Sequence, residues 1–152
     1  MAETFIIFKP DTFKRNLENT LIHEIESHGF KISDKKEVIV DENTILKHYE
    51  EVIQRVPNPD FKNYILNAFV GKKVWIMKLS SDSDHTVEDF RFFLGKTNPV
   101  DADKNSLRGK YGDDSYERST AEKRMLNNLI HASDSIENAQ KELNLWYKNK
   151  VN

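Results

Sequence analysis

Short apolar runs alternate along this chain with stretches in which apolar residues recur every three or four positions. Residues 3–9 read ETFIIFK, too short for a helix and rich in Phe, Ile and Thr, which predicts a buried strand. Pro10 and Asp11 punctuate it. From Phe13 the period changes: Leu17, Leu21 and Ile25 continue one stripe, and Gly29 stands where a helix-ending glycine belongs. A second strand is expected over residues 30–40, closing on Val38, Ile39 and Val40. A short helix is predicted over 44–53, followed by an interruption at Val56-Pro57-Asn58-Pro59, where each proline restricts the residue before it. Phe61, Ile65, Leu66 and Phe69 restore helical spacing up to Gly71. Val74-Trp75-Ile76-Met77 with Leu79 contains no breaker and predicts a central strand, with a further helix over 86–94 before Gly95.

Residues 96–124 break this rhythm, with Pro99, Gly109, Gly112 and many polar residues around sparse anchors at Leu107 and Tyr111. A structureless connection of that length is unusual in a compact domain, so a functional role or a short internal helix, placed at 122–127, is expected. Leu129-Ile130 predicts a brief fourth strand. Asp134, with Glu137 three residues on, reads as the cap of a last helix whose buried stripe is Ile136, Ala139, Leu143 and Trp146. This order predicts one α+β domain over 1–152, an antiparallel or mixed sheet covered by helices on one face.

Composition narrows the function classes. The chain of 152 residues is long enough for a core without staples, and with no cysteine it can build neither a disulfide framework nor a thiolate metal site. Its 23 Lys and Arg against 25 Asp and Glu give a net charge of -2, which argues against a nucleic acid backbone as an obligate partner. Nucleotides remain open, because a small phosphate needs only a few convergent donors. No apolar run approaches a membrane span, so a soluble, cytoplasmic protein is expected. His23, His28, His48 and His85 show no HxxxH or HExxH spacing, so no protein metal site is assigned. No GxxxxGK[ST] phosphate loop occurs either.

Five segments carry a resemblance when taken together: Lys9-Pro10-Asp11, His48-Tyr49, Leu94-Gly95-x-Thr97-Asn98-Pro99, Leu107-Arg108-Gly109 and His131-x-Ser133-Asp134-Ser135. In this order they resemble the nucleoside diphosphate kinases, over residues 4–146. The resemblance implies a ferredoxin-like βαββαβ core, a four-stranded antiparallel sheet covered by helices, with an extended loop before the active-site histidine. It implies ping-pong transfer of the terminal phosphoryl group from a nucleoside triphosphate to a diphosphate through a phosphohistidine at His131. Imidazole as a class loses its proton near neutral pH and then attacks phosphorus. Glu142 matches the carboxylate that orients the ring, and Tyr49 stands close to it. Lys9, Arg91, Thr97 and Arg108 match phosphate-contacting positions, and Asn128 a contact to the sugar and phosphate end. Mg2+, held mainly by the substrate phosphates, and self-association into a dimer-based oligomer are also implied.

Two departures stand out. Pro57 occupies the position where the family stacks a phenylalanine on the base, and Phe61 replaces a leucine of the opposite wall. Arg108 and His131 are separated by about ten residues more than the family pattern, the excess falling near residues 113–125. Asn16 and Ala132 replace commoner glycines. Taken singly, each residue has an ordinary alternative: Glu142 and Arg91 as exposed helix charges, Tyr49 as a core aromatic, Gly95 and Gly109 as turn residues. The rival functions are a regulatory nucleotide-binding domain without catalysis, and a single-stranded nucleic acid binder using aromatics such as Phe90, Phe92 and Phe93.

Overall fold

The computed structural model describes residues 3–148. Its centre is a sheet of four strands, β1 (Glu3–Phe8), β2 (Lys31–Ile39), β3 (Lys73–Ser80) and β4 (Ile130–Ala132), in the spatial order β2-β3-β1-β4 with every pair antiparallel. This is the four-stranded antiparallel sheet that the family resemblance implies, with helices also inserted between β2 and β3.

Side chains alternate across a strand, and this alternation sorts the core into two layers. Ile6, Phe8, Met77, Leu79, Ile130 and Ala132 join one cluster, while Phe5, Ile7, Val74 and Ile76 join the other. Helices cover both faces, not one as the element order suggested. α2 (Glu18–Ser27) and α6 (Thr86–Leu94) close the first; α3 (Glu42–His48), α5 (Phe61–Phe69) and α9 (Ile136–Lys148) close the second. The near-continuous apolar run of β1 is the sequence mark of that double coverage. It also removes the aromatic sheet platform of the nucleic acid reading: Phe90 is buried in the first layer, Phe93 packs against it, and Phe92 alone points outward.

The other differences have local causes. The helix expected from Phe13 is split into α1 (Pro10–Lys14) and α2, because Asn16 adopts a left-handed φ of 57°, which asparagine tolerates better than most residues. Its apolar stripe still packs on one cluster. The helix predicted over 44–53 is broken at Tyr49 into α3 and α4 (Glu50–Arg55). Residues 122–127 are not helical. The long connection instead holds α7 (Leu107–Tyr111) and α8 (Tyr116–Ala121), each started by a serine. Ser106 Oγ accepts from the Gly109 N–H at 3.1 Å, and Ser115 Oγ from the Arg118 N–H at 3.1 Å. The last helix is likewise capped by Ser135, whose Oγ accepts from the Asn138 N–H, and not by Asp134.

Candidate active site

β4 pairs with β1 so that Ile130 and Ala132 enter the first core layer, which sends the intervening His131 to the other face beside Phe5. There α9 brings Glu142 within reach, its Oε1 2.9 Å from His131 Nε2, and the same oxygen accepts a bond from Ser133 Oγ. Burial favours the neutral carboxyl, but the bond and charge of His131, with His48 and Ser133, hold Glu142 below its usual range. An ionised carboxylate only accepts, so Nε2 carries the hydrogen of the neutral ring and Nδ1 keeps its lone pair. The sequence expectation that Glu142 reaches back to the imidazole matches this geometry.

Because the folded carboxyl titrates lower than the unfolded one, its stabilisation is complete above the unfolded value and is lost as pH falls through the folded one. A Glu142→Gln variant is expected to turn over about tenfold to a hundredfold more slowly, through misorientation of the ring. Its deficit in unfolding free energy against wild type should shrink as pH falls through and below the ordinary carboxylate range. Urea titrations at several pH values check this; a deficit constant with pH would contradict the assignment.

His48 stands beside the nucleophile, the two ring centroids 4.4 Å apart at 78°. The Trp146 indole N–H donates to His48 Nδ1 at 3.1 Å, and since an indole nitrogen only donates, that Nδ1 is unprotonated. Burial, with the neighbouring His131, pushes the His48 pKa down to about 3, so the ring brings no second positive charge to the site. Tyr49 is buried against Phe69, and burial raises its hydroxyl pKa. Ligand atoms of His48, His131 and Glu142 lie within 4.8 Å of one another, so these three can coordinate a metal ion. The sequence showed no such spacing because the fold joins residues distant in the chain. Two imidazoles and a carboxylate suit a zinc-like ion better than magnesium, which favours oxygen ligands.

The opposite pole is cationic. Arg108 is 7 % exposed and donates to three carbonyls: Nε to Asn128 at 3.2 Å, Nη1 to Gly95 at 3.1 Å and Nη2 to Ile130 at 2.5 Å. None of these partners is a carboxylate, so a buried positive charge is oriented but not neutralised. Burial, then the charge of Arg91, lowers its pKa to about 10. Lys9 Nζ, also buried, donates to Asn128 Oδ1 at 2.8 Å and Leu126 O at 3.2 Å. Burial lowers its pKa to about 8. Asn128 gathers this pole, since its amide nitrogen also donates to the Thr97 carbonyl at 3.0 Å. Gly109 lets α7 pack against the turn before it: a Cβ there would meet the Asp103 carbonyl oxygen at 1.8 Å.

Both poles open into one cavity of about 730 Å³. Its wall includes Lys9, Tyr49, Phe61, Arg91, Thr97, Arg108, Asn128, His131 and Glu142, all expected from the sequence. Pro57, the remaining expected residue, is not part of that wall. His48 and Tyr116 also line it, and sequence reasoning assigned a role to neither. His48 carried a signal in the His48-Tyr49 pair, whereas Tyr116 lay in a segment with no counterpart to compare.

The family model for nucleoside diphosphate kinase matches residues 2–151. The nucleoside diphosphate kinase of Staphylococcus haemolyticus is 32 % identical over 148 residues, covering 97 % of this chain and 89 % of the relative. That of Columba livia is 32 % identical over 145 residues, covering 95 % and 84 %. Among solved structures, the Borrelia burgdorferi nucleoside-diphosphate kinase, a transition-state mimic with bound vanadate and ADP, superposes with a TM-score of 0.88 at 27 % identity, covering 97 % of this chain and 88 % of the other. The apo enzyme from Encephalitozoon cuniculi superposes at 0.81 with 31 % identity, covering 100 % and 92 %. With a family model matched along almost its whole length and relatives of this similarity, the chain belongs to the nucleoside diphosphate kinase family.

Proposed function

We propose that this single-domain protein is a nucleoside diphosphate kinase in which His131 Nδ1 is the atom that carries the phosphoryl group. The observation that supports this most directly is the Nε2 contact to Glu142, which leaves Nδ1 as the unprotonated nitrogen of a ring lining the same cavity as Arg108 and Lys9. The Nδ1 lone pair forms a bond to the terminal phosphorus of a nucleoside triphosphate. The bond from that phosphorus to the bridging oxygen breaks, its electron pair leaves with the diphosphate, and a second diphosphate reverses the step.

Such a transfer needs positioning and compensation of charge. Arg108 and Lys9 supply fixed positive charge, Arg91 and the Thr97 hydroxyl additional donors at the rim, and Glu142 stabilises the ring as it becomes cationic. Asn128 positions Lys9 and Arg108, and Tyr49 walls the histidine. Glu142, the carboxylate beside His131, already accepts two bonds on one oxygen, and the imidazoles beside it do not suit magnesium, so that ion would be carried in on the substrate phosphates and not held in a protein cage. When bound, the ion neutralises phosphate charge. Self-association belongs to the same proposal and is supported by the long outer edge of β2 and by Ile39, 61 % exposed at its end. So does a cytoplasmic setting; among the described residues no helix is long and apolar enough to cross a membrane.

The test is incubation of the protein with γ-labelled ATP and magnesium. The expected product is an acid-labile, base-stable phosphoprotein that discharges onto added diphosphate. Folded protein that binds ATP and never acquires label would replace this reading with that of a regulatory nucleotide-binding domain.

A further inference from the structure

The base end of the cavity has lost an aromatic surface and gained another. Residue 57, where the family offers a stacking ring, is a proline outside the cavity wall. Of the Phe and Tyr residues that do line the cavity, Tyr49 is buried against Phe69, which leaves Phe61 on α5 and Tyr116 at the first turn of α8. Tyr116 is 51 % exposed, and among the described residues its ring meets no other aromatic ring. A large aromatic held half out of the protein at the mouth of a ligand cavity has apolar surface still to cover.

Its position is built. Asp114 pairs with Arg124 through two bonds of 2.7 and 2.9 Å and accepts from the Asn127 N–H at 2.8 Å, which ties both ends of the extra segment together. Ser115 caps α8, and the Tyr116 N–H donates to Asn98 Oδ1 at 3.3 Å. These anchors fix the start of α8 on the loop that also carries Thr97. Tyr116 and Arg108 line the same cavity, and half of the Tyr116 surface is exposed.

We propose that Tyr116, delivered by the extra segment, supplies the aromatic face on which the nucleotide base stacks, in place of the ring missing at residue 57. This rests on the nucleotide-binding part of the reading above. Stacking grows with the overlapping π surface, so Tyr116 favours purine over pyrimidine nucleotides.

The experiment is calorimetric titration of wild type, Tyr116→Ala and Tyr116→Phe with ADP and with CDP, beside steady-state kinetics. Loss of one base stack is expected to raise the dissociation constant for ADP roughly tenfold in Tyr116→Ala, and that for CDP less. KM should follow while kcat stays within about twofold, and Tyr116→Phe should bind ADP within about twofold of wild type. Unchanged ADP affinity in a folded Tyr116→Ala protein overturns the proposal. An equal loss in Tyr116→Phe does so as well, since it assigns the effect to the hydroxyl. The titrations need no turnover: absent phosphoenzyme with intact, Tyr116-dependent ADP binding defeats the kinase reading alone.

Discussion

The His131→Gln variant is expected to lose phosphoryl transfer by at least about ten-thousand-fold, because no other group stands at the atom that must bond to phosphorus. His48 is the nearest substitute by position, yet its Nδ1 accepts from the Trp146 indole, which leaves Nε2 as the protonated nitrogen of its neutral ring. Glutamine is neutral, as the reactive imidazole is, and can still donate to Glu142, so the carboxylate keeps a partner. Nucleotide binding should therefore survive within about threefold, since Arg108 and Lys9 keep their contacts. Turnover and ADP titration on the same preparation separate the two quantities. A variant that retains a tenth of wild-type turnover would move the phosphoryl group to another residue.

Arg108→Ala is expected to fail differently, by weakening the fold and the site together. Removing the guanidinium leaves the carbonyls of Gly95, Asn128 and Ile130 without these donors in a buried place. At about 1–3 kcal/mol for each buried group left unsatisfied, a loss of at least about 3 kcal/mol is expected, a large share of ordinary domain stability. Arg108→Lys should fall between, because an ammonium restores the charge but cannot span three divergent carbonyls. Urea unfolding midpoints in the order wild type, lysine, alanine check the structural part. Phosphate affinity measured on the lysine variant checks the electrostatic part. Equal midpoints for wild type and alanine would mean that water replaces the guanidinium at no cost.

Much of this was legible in the residues. The strands announced themselves because β1 and β3 are apolar runs between breakers, and the 86–94 helix because its stripe ends on Gly95. Lys9 and Arg108, which form the cationic side of the cavity, lie in short segments that keep the family order. Three things were hidden, each for a physical reason. The break at Asn16 depends on a single left-handed residue that leaves the apolar stripe unbroken. The helices of the long connection are too short for periodicity to register, and only their serine caps mark them. The convergence of His48, Trp146 and His131 is tertiary, made by β4 and α9 returning to a layer begun far earlier in the chain.

That return has a consequence for the order in which the protein becomes competent. β1, at the start of the described chain, forms its last lateral pairing with β4, and the group that sets the tautomer of His131 lies on α9, the last of the described elements. On the ribosome, β1, β2 and β3 emerge and can pair before His131 or Glu142 exists outside the exit tunnel. A chain that stops before α9 therefore holds His131 without the carboxylate that fixes its tautomer, and is expected to transfer phosphoryl groups more slowly, as Glu142→Gln is.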